Sequence, residues 1–126
     1  MAEAEFLKER AESFFRDAEL AIKETRWNSA AFHLEQACQL YLKYFLFKKI
    51  GDFPKTHSLR RLLKSIGKAY SKEEDIDNFV ERNEEVLFSL EQAYIVSRYL
   101  PVEFSEKQVN KMLQFFKELL TLLQNL

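Results

Sequence analysis

Apolar residues recur at steps of three and four along almost the whole chain, and this spacing places them on one face of a helix and never on one face of a strand. Leu7, Ala11, Phe14, Phe15, Ala18 and Ile22 form the first such stripe, with Glu12, Arg16, Asp17, Glu19 and Lys23 on the other side. The pattern resets around Arg26-Trp27-Asn28, where Asn28 is read as an N-cap, and resumes with Ala31, Leu34, Cys38, Tyr41, Leu42 and Phe45. Gly51 and Pro54 end this second helix. Thr56 is read as the cap of a third, short helix carrying Leu59, Leu62, Leu63 and Ile66, weakened at Gly67. Ser71-Lys72-Glu73-Glu74 reads as a capping box opening a fourth helix, with Ile76, Phe79, Val80, Leu87, Leu90 and Tyr94 inward, that ends by Pro101. A second capping box, Ser105-Glu106-Lys107-Gln108, opens a fifth helix with Val109, Met112, Leu113, Phe116, Leu119, Leu120 and Leu123 inward.

Only two glycines and two prolines occur in 126 residues, too few to punctuate a small β domain. The expected fold is therefore all-α: one domain over residues 1–126, an antiparallel up-and-down bundle of about five helices. With 47% apolar residues the chain can bury a core without disulfide or metal staples. Cys38, the lone cysteine, reads as a buried apolar residue in a reducing compartment. The N-terminus has no secretory pattern and no apolar run approaches the ~20 residues that span a bilayer. A cytoplasmic location with no membrane partner is expected.

Several stretches together resemble the HEPN family, small helical domains of prokaryotes often encoded beside a minimal nucleotidyltransferase. Trp27-Asn28-Ser29-Ala30-Ala31-Phe32-His33-Leu34-Glu35-Gln36-Ala37 is similar to the family's second helix, continued by Lys43 and Gly51. Thr56-His57-Ser58-Leu59 with Leu62-Leu63 resembles its Thr-His-x-Leu entry to the third helix. Ala93-Tyr94-Ile95-Val96-Ser97-Arg98-Tyr99-Leu100-Pro101 resembles its Tyr-Ile-x-x-Arg-Tyr-Pro stretch, with Leu100 intervening before the proline. The resemblance implies an up-and-down bundle, frequent homodimers, and a connection to nucleotides or RNA.

Catalytic members of that family resemble one another in an arginine followed by four to six residues and a histidine, a metal-independent ribonuclease site. Histidine moves the proton of the attacking 2′-hydroxyl near neutral pH, and arginine steadies the phosphate. After Arg98 the histidine would fall at Glu103, Phe104 or Ser105; after Arg82-Asn83 it would fall at Leu87, Phe88 or Ser89. The late motif is missing. Arg26 and His33 satisfy the spacing but lie near the start of the second helix, and the ordinary reading is a surface arginine and an interface histidine.

Net charge is only −1, so affinity for an anion has to be local. Lys48, Lys49, Lys55, Arg60, Arg61, Lys64 and Lys68 gather around the third helix, while Glu73, Glu74, Asp75, Asp77, Glu81, Glu84 and Glu85 load the fourth. Lys55, His57, Arg60, Arg61, Lys64, Tyr94 and Arg98 are the candidate phosphate or nucleotide residues. A ring that stacks on a base and an arginine that clamps a phosphate suit Tyr94 and Arg98. The competing readings are a solvated basic face, a loop-fixing His57 and an Arg98 that caps its helix. Two histidines and one cysteine, well separated, supply no metal-ligand spacing, and no cofactor is expected. The expected function is a noncatalytic HEPN-type binding domain for nucleotide or RNA phosphates or a nucleotidyltransferase partner in a toxin–antitoxin-like system, dimeric because of its twelve phenylalanines. The alternatives are a ribonuclease toxin with a displaced Arg–His pair and a helical assembly factor without a small ligand.

Overall fold

The computed structural model describes the backbone over residues 2–126 and the side chains over residues 4–126. It consists of six helices, and no strand occurs among the described residues. The first, α1 (Ala2–Lys23), and the second, α2 (Trp27–Ile50), are joined by three residues and fold back on each other. Their facing surfaces are lined by small side chains, Ala4, Ala11, Ala18 and Ala21 on α1 and Ala30, Ala31 and Ala37 on α2, all buried. Small residues let the two backbones approach, and the aromatic residues flanking them close the seam. In the turn Thr25 takes a left-handed φ of 56°, an uncommon state for a β-branched residue, while Arg26 N–H closes onto Ala21 O at 2.8 Å.

Helix α2 is the centre of the molecule, packed against α1, α3, α5 and α6. It buries residues nearly all round, from Ala30 and Leu34 through Leu42 to Leu46. Gly51 ends it as expected, at φ 74° with its N–H on Phe47 O. Helices α3 (Leu59–Ala69), α4 (Glu73–Arg82), α5 (Glu84–Tyr99) and α6 (Glu106–Gln124) follow. Leu59, Leu62, Leu63, Ile66, Ile76, Phe79, Leu87, Leu90, Val109, Met112, Phe116, Leu119 and Leu123 are buried, as their spacing predicted.

Four local expectations are corrected. The expected fourth helix is two, α4 and α5, because the Asn83 amide side chain donates to Phe79 O at 2.8 Å and so takes the carbonyl its own N–H would use. That N–H shifts to Val80 O, and Asn83 leaves helical geometry at φ −121°. Asn28 lies inside α2, whose N-cap is Arg26. Ser58, not Thr56, caps α3 by accepting from Arg61 N–H, while Thr56 Oγ1 accepts from Ser58 N–H, so His57 precedes the helix. The Ser71 capping box does not form: Ser71 is at φ 55°, and Lys72 is the N-cap of α4 without a side-chain bond.

Gly67 explains that junction. It stays within α3 and is buried, and a Cβ there would meet the Glu73 Cα at 3.3 Å and the Ile76 Cβ at 3.4 Å. A side chain at this position would push α4 away. The Ser105 capping box is present in both directions, with Ser105 Oγ accepting from Gln108 N–H and Gln108 Oε1 accepting from Ser105 N–H. Of the twelve phenylalanines only Phe6 and Phe88 are exposed, so one copy of the chain houses most of the residues that suggested a second. No helix among the described residues is long and apolar enough to cross a membrane.

Candidate functional site

Tyr94 and Arg98 lie one turn apart on α5, where it packs against α2. The Arg98 guanidinium sits 4.9 Å from the Tyr94 ring centre and 5.1 Å from that of Phe32 on α2, an arrangement in which the ring faces attract the cation. His57, from the loop before α3, stacks on Tyr94 at 4.6 Å with the two planes only 4° apart. Three elements distant in sequence thus form one column of rings and cation. Arg98 itself is exposed and has no carboxylate partner among the described residues.

Beside Arg98 a shallow depression of about 440 Å3 is lined by Ser29, Phe32, His33, Ser97 and Arg98. His33 Nδ1 is 2.7 Å from Ser29 O, and only a protonated Nδ1 bonds a carbonyl oxygen at that distance. The neutral ring therefore keeps its lone pair on Nε2. The histidine of the sequence-predicted pair thus shares its depression with Arg98, while Arg26 is exposed and bonds Glu24 at 3.1 Å.

The backbone on either side of Arg98 is tied down by Asn28. Its Nδ2 donates to Val102 O at 2.7 Å, its Oδ1 accepts from Phe104 N–H at 2.7 Å, and its own carbonyl accepts from Ser97 Oγ at 3.0 Å. One residue at the start of α2 ties down the end of α5 and the loop that follows. Asn28→Ala is expected to cost about 1–3 kcal/mol, since it strips partners from two backbone groups. Denaturant unfolding checks the cost, and amide exchange should quicken over residues 100–105.

The remaining candidates divide. Arg60 is engaged: its Nε is 3.4 Å from Glu91 Oε1 and its Nη2 donates to Glu84 O at 3.0 Å. Ser58 Oγ donates to the other Glu91 oxygen at 3.0 Å, so Glu91 locks the start of α3 to α5 beneath the His57 loop. Lys55, Arg61 and Lys64 are exposed and make no ion pair among the described residues, which leaves a basic strip on and before α3.

Sequence reasoning missed Glu35. It is fully buried on α2, accepts hydrogen bonds from Gln36 and Gln39, and has its pKa raised from 4.5 to about 7. Burial is the main cause; the two amides and Lys43 oppose it, and Glu91 adds to it. A signal existed, because Ala31, Glu35, Cys38 and Leu42 share a helical face and the other three are apolar. Cys38 is buried, as read, and its thiol pKa is pushed well up by burial and then by Glu35.

A second concavity of about 450 Å3 lies between the α4–α5 elbow and α6, lined among others by Arg82, Asn83, Lys107, Lys111 and Phe115. Arg82-Asn83 is the pair that resembles the opening of the ribonuclease motif, and Leu87, Phe88 and Ser89 stand where its histidine would be. The HEPN domain profile matches residues 4–126. The chain belongs to the HEPN family. No similar chain was found among curated proteins or among solved structures. In this HEPN domain, then, the arginine of the Tyr-Ile-x-x-Arg stretch lines the same depression as His33 of α2, a histidine that precedes it in sequence by about half the chain.

Proposed function

We propose that this HEPN domain is a noncatalytic binding module that takes the phosphate of a nucleotide or of RNA in the depression beside Arg98. The observation that carries this reading is the state of Arg98: exposed, held between the Phe32 and Tyr94 rings, and free of any carboxylate among the described residues. An arginine so positioned has donors to offer an anion, and its orientation is already fixed. Ser29, Ser97 and His33 supply further polar groups around it. Phe32 and the Tyr94–His57 stack offer surfaces on which a base could lie. The protein partner in this reading is a second copy or a minimal nucleotidyltransferase, the setting a toxin–antitoxin-like pair in the cytoplasm of a prokaryote.

Thermal-shift titration with mononucleotides and a short single-stranded RNA tests it. A ligand at a hundred times its Kd should stabilise the fold by about 2.7 kcal/mol. Arg98→Ala should weaken binding tenfold or more, and Lys64→Ala at most about threefold. The opposite ranking would move the site to the basic strip of α3, and no shift with any ligand would favour the assembly factor.

A second reading draws on His33. Its free Nε2 shares the depression with Arg98, so a displaced Arg–His pair remains a candidate ribonuclease, with Arg98 rather than Arg26 as the arginine. The noncatalytic reading predicts intact RNA after prolonged incubation without metal. Cleavage that disappears in His33→Ala and Arg98→Ala would replace it.

A further inference from the structure

The concavity lined by Arg82, Asn83, Lys107 and Lys111 continues in both directions along α6. Toward the end of the helix it shares Arg82, Asn83, Gln114 and Glu118 with a depression of about 690 Å3 that reaches Thr121 and Asn125. Toward the start it shares Lys107, Lys111 and Gln114 with one that reaches Glu106. At about 1.5 Å per helical residue the groove from Lys107 to Asn125 is about 27 Å long, the span of roughly eight residues of extended chain.

The floor of this groove is closed. Phe79 and Phe115 contribute to it but are only 3% and 1% exposed, so a docking helix would find little apolar surface to cover. The groove offers carboxamides instead. A carboxamide carries the same donor and acceptor as a peptide bond, and the fold sets two of them in advance. Asn83 donates its Nδ2 to Phe79 O, which leaves Oδ1 as an acceptor. Gln108 uses its Oε1 on Ser105 N–H in the capping box, which leaves Nε2 as a donor. Gln114 lines all three depressions.

The charges along the groove point the same way. Arg82, Lys107, Lys111 and Lys117 are exposed there and form no ion pair among the described residues. Glu85, Glu106 and Glu118 line it too, so a nucleic-acid strand, charged at every link, would set phosphates against carboxylates. A peptide carries charge only where its side chains put it, and in extended form it has main-chain groups that a helix has already paired. We infer that this groove binds an extended acidic segment of a partner protein, its main chain paired with the amides of Asn83, Gln108 and Gln114 and its carboxylates with Arg82, Lys107 and Lys111. The Asn83 acceptor meets a peptide N–H, and the Gln108 donor a peptide carbonyl. Both amides are already held at helix ends, so little side-chain freedom is lost on binding. The groove shares no residue with the depression beside Arg98, and the inference does not depend on what binds there.

The probe is a fluorescein-labelled peptide of about nine alternating glutamate and valine residues, long enough to fill the groove. Its anisotropy should rise to saturation as protein is added, and the same peptide with lysine in place of glutamate should not respond. Arg82→Glu should weaken binding about tenfold or more. Gln108→Glu is the sharper variant, because glutamate keeps the capping box by accepting from Ser105 N–H but puts an acceptor where the groove has a donor. Its melting temperature should hold while its affinity falls about tenfold. Lys23→Glu, an exposed charge reversal on α1, should leave the affinity unchanged. The inference is overturned by no saturable rise at millimolar protein, by equal binding of the lysine peptide, or by unchanged affinity in Gln108→Glu. Equal losses in Lys23→Glu and Arg82→Glu would also sink it, as would an oligouridylate that displaces the probe at lower concentration than the unlabelled peptide, which would make the groove a nucleic-acid surface.

Discussion

Phe116→Ala is expected to remove about 3–5 kcal/mol of stability, enough to leave a domain of this size close to unfolding at ambient temperature. Phe116 is 1% exposed and joins three helices: its ring stacks on Phe15 of α1 at 4.5 Å and lies 5.7 Å from Tyr41 of α2. Truncation removes the transfer energy of the ring and leaves a void that the helices around it cannot collapse into, because they are held elsewhere by their own caps and side chains. Phe116→Leu keeps more of the volume and should cost well under half as much. Urea denaturation followed by circular dichroism measures both, and equal losses for the two variants would mean that α6 does not depend on this contact.

The wild-type protein is expected to lose stability as the pH rises from 5 to 8, and Glu35→Gln is expected to abolish most of that slope. The Glu35 carboxyl is raised from 4.5 to about 7 in the fold, so the folded chain holds this proton more tightly than the unfolded one does. Its contribution is fully present below the unfolded value, shrinks as pH rises and is gone above about 7. At roughly 1.36 kcal/mol per pH unit this is about 3 kcal/mol, on the order of 10 °C in Tm for a chain of this length. Glutamine keeps the shape of the side chain, and the Gln39 amide can turn its oxygen to meet the new donor. Melting temperatures at pH 5 and pH 8 decide the matter. Parallel profiles for wild type and Glu35→Gln would show that Glu35 is not the group responsible.

The candidate site was legible in pieces. Tyr94 and Arg98 share a helical face by count alone, and His57 and His33 stand out as the only histidines in the chain. That His57 stacks on Tyr94, and that His33 rather than Arg26 shares a depression with Arg98, depends on which helices become neighbours, and no local spacing contains that information. Arg60 looked as available as Arg61 until the fold brought Glu91 beside it. Asn28 looked like a cap because asparagine favours caps; in the fold its amide reaches a loop more than seventy residues away.

The helical class, the greater part of the core and the absence of the late Arg–His motif could be read from residue order, because they follow from side chains a few residues apart on one rod. It took the packing of the helices to break the long fourth segment at Asn83, to seal Glu35 from water, and to leave Arg98 without a carboxylate between two rings while Arg60 gained one. The physical reason is the same in each case. Periodicity says which side of a helix avoids water, whereas the charge state and the partners of a polar side chain are set by groups that another helix carries to it.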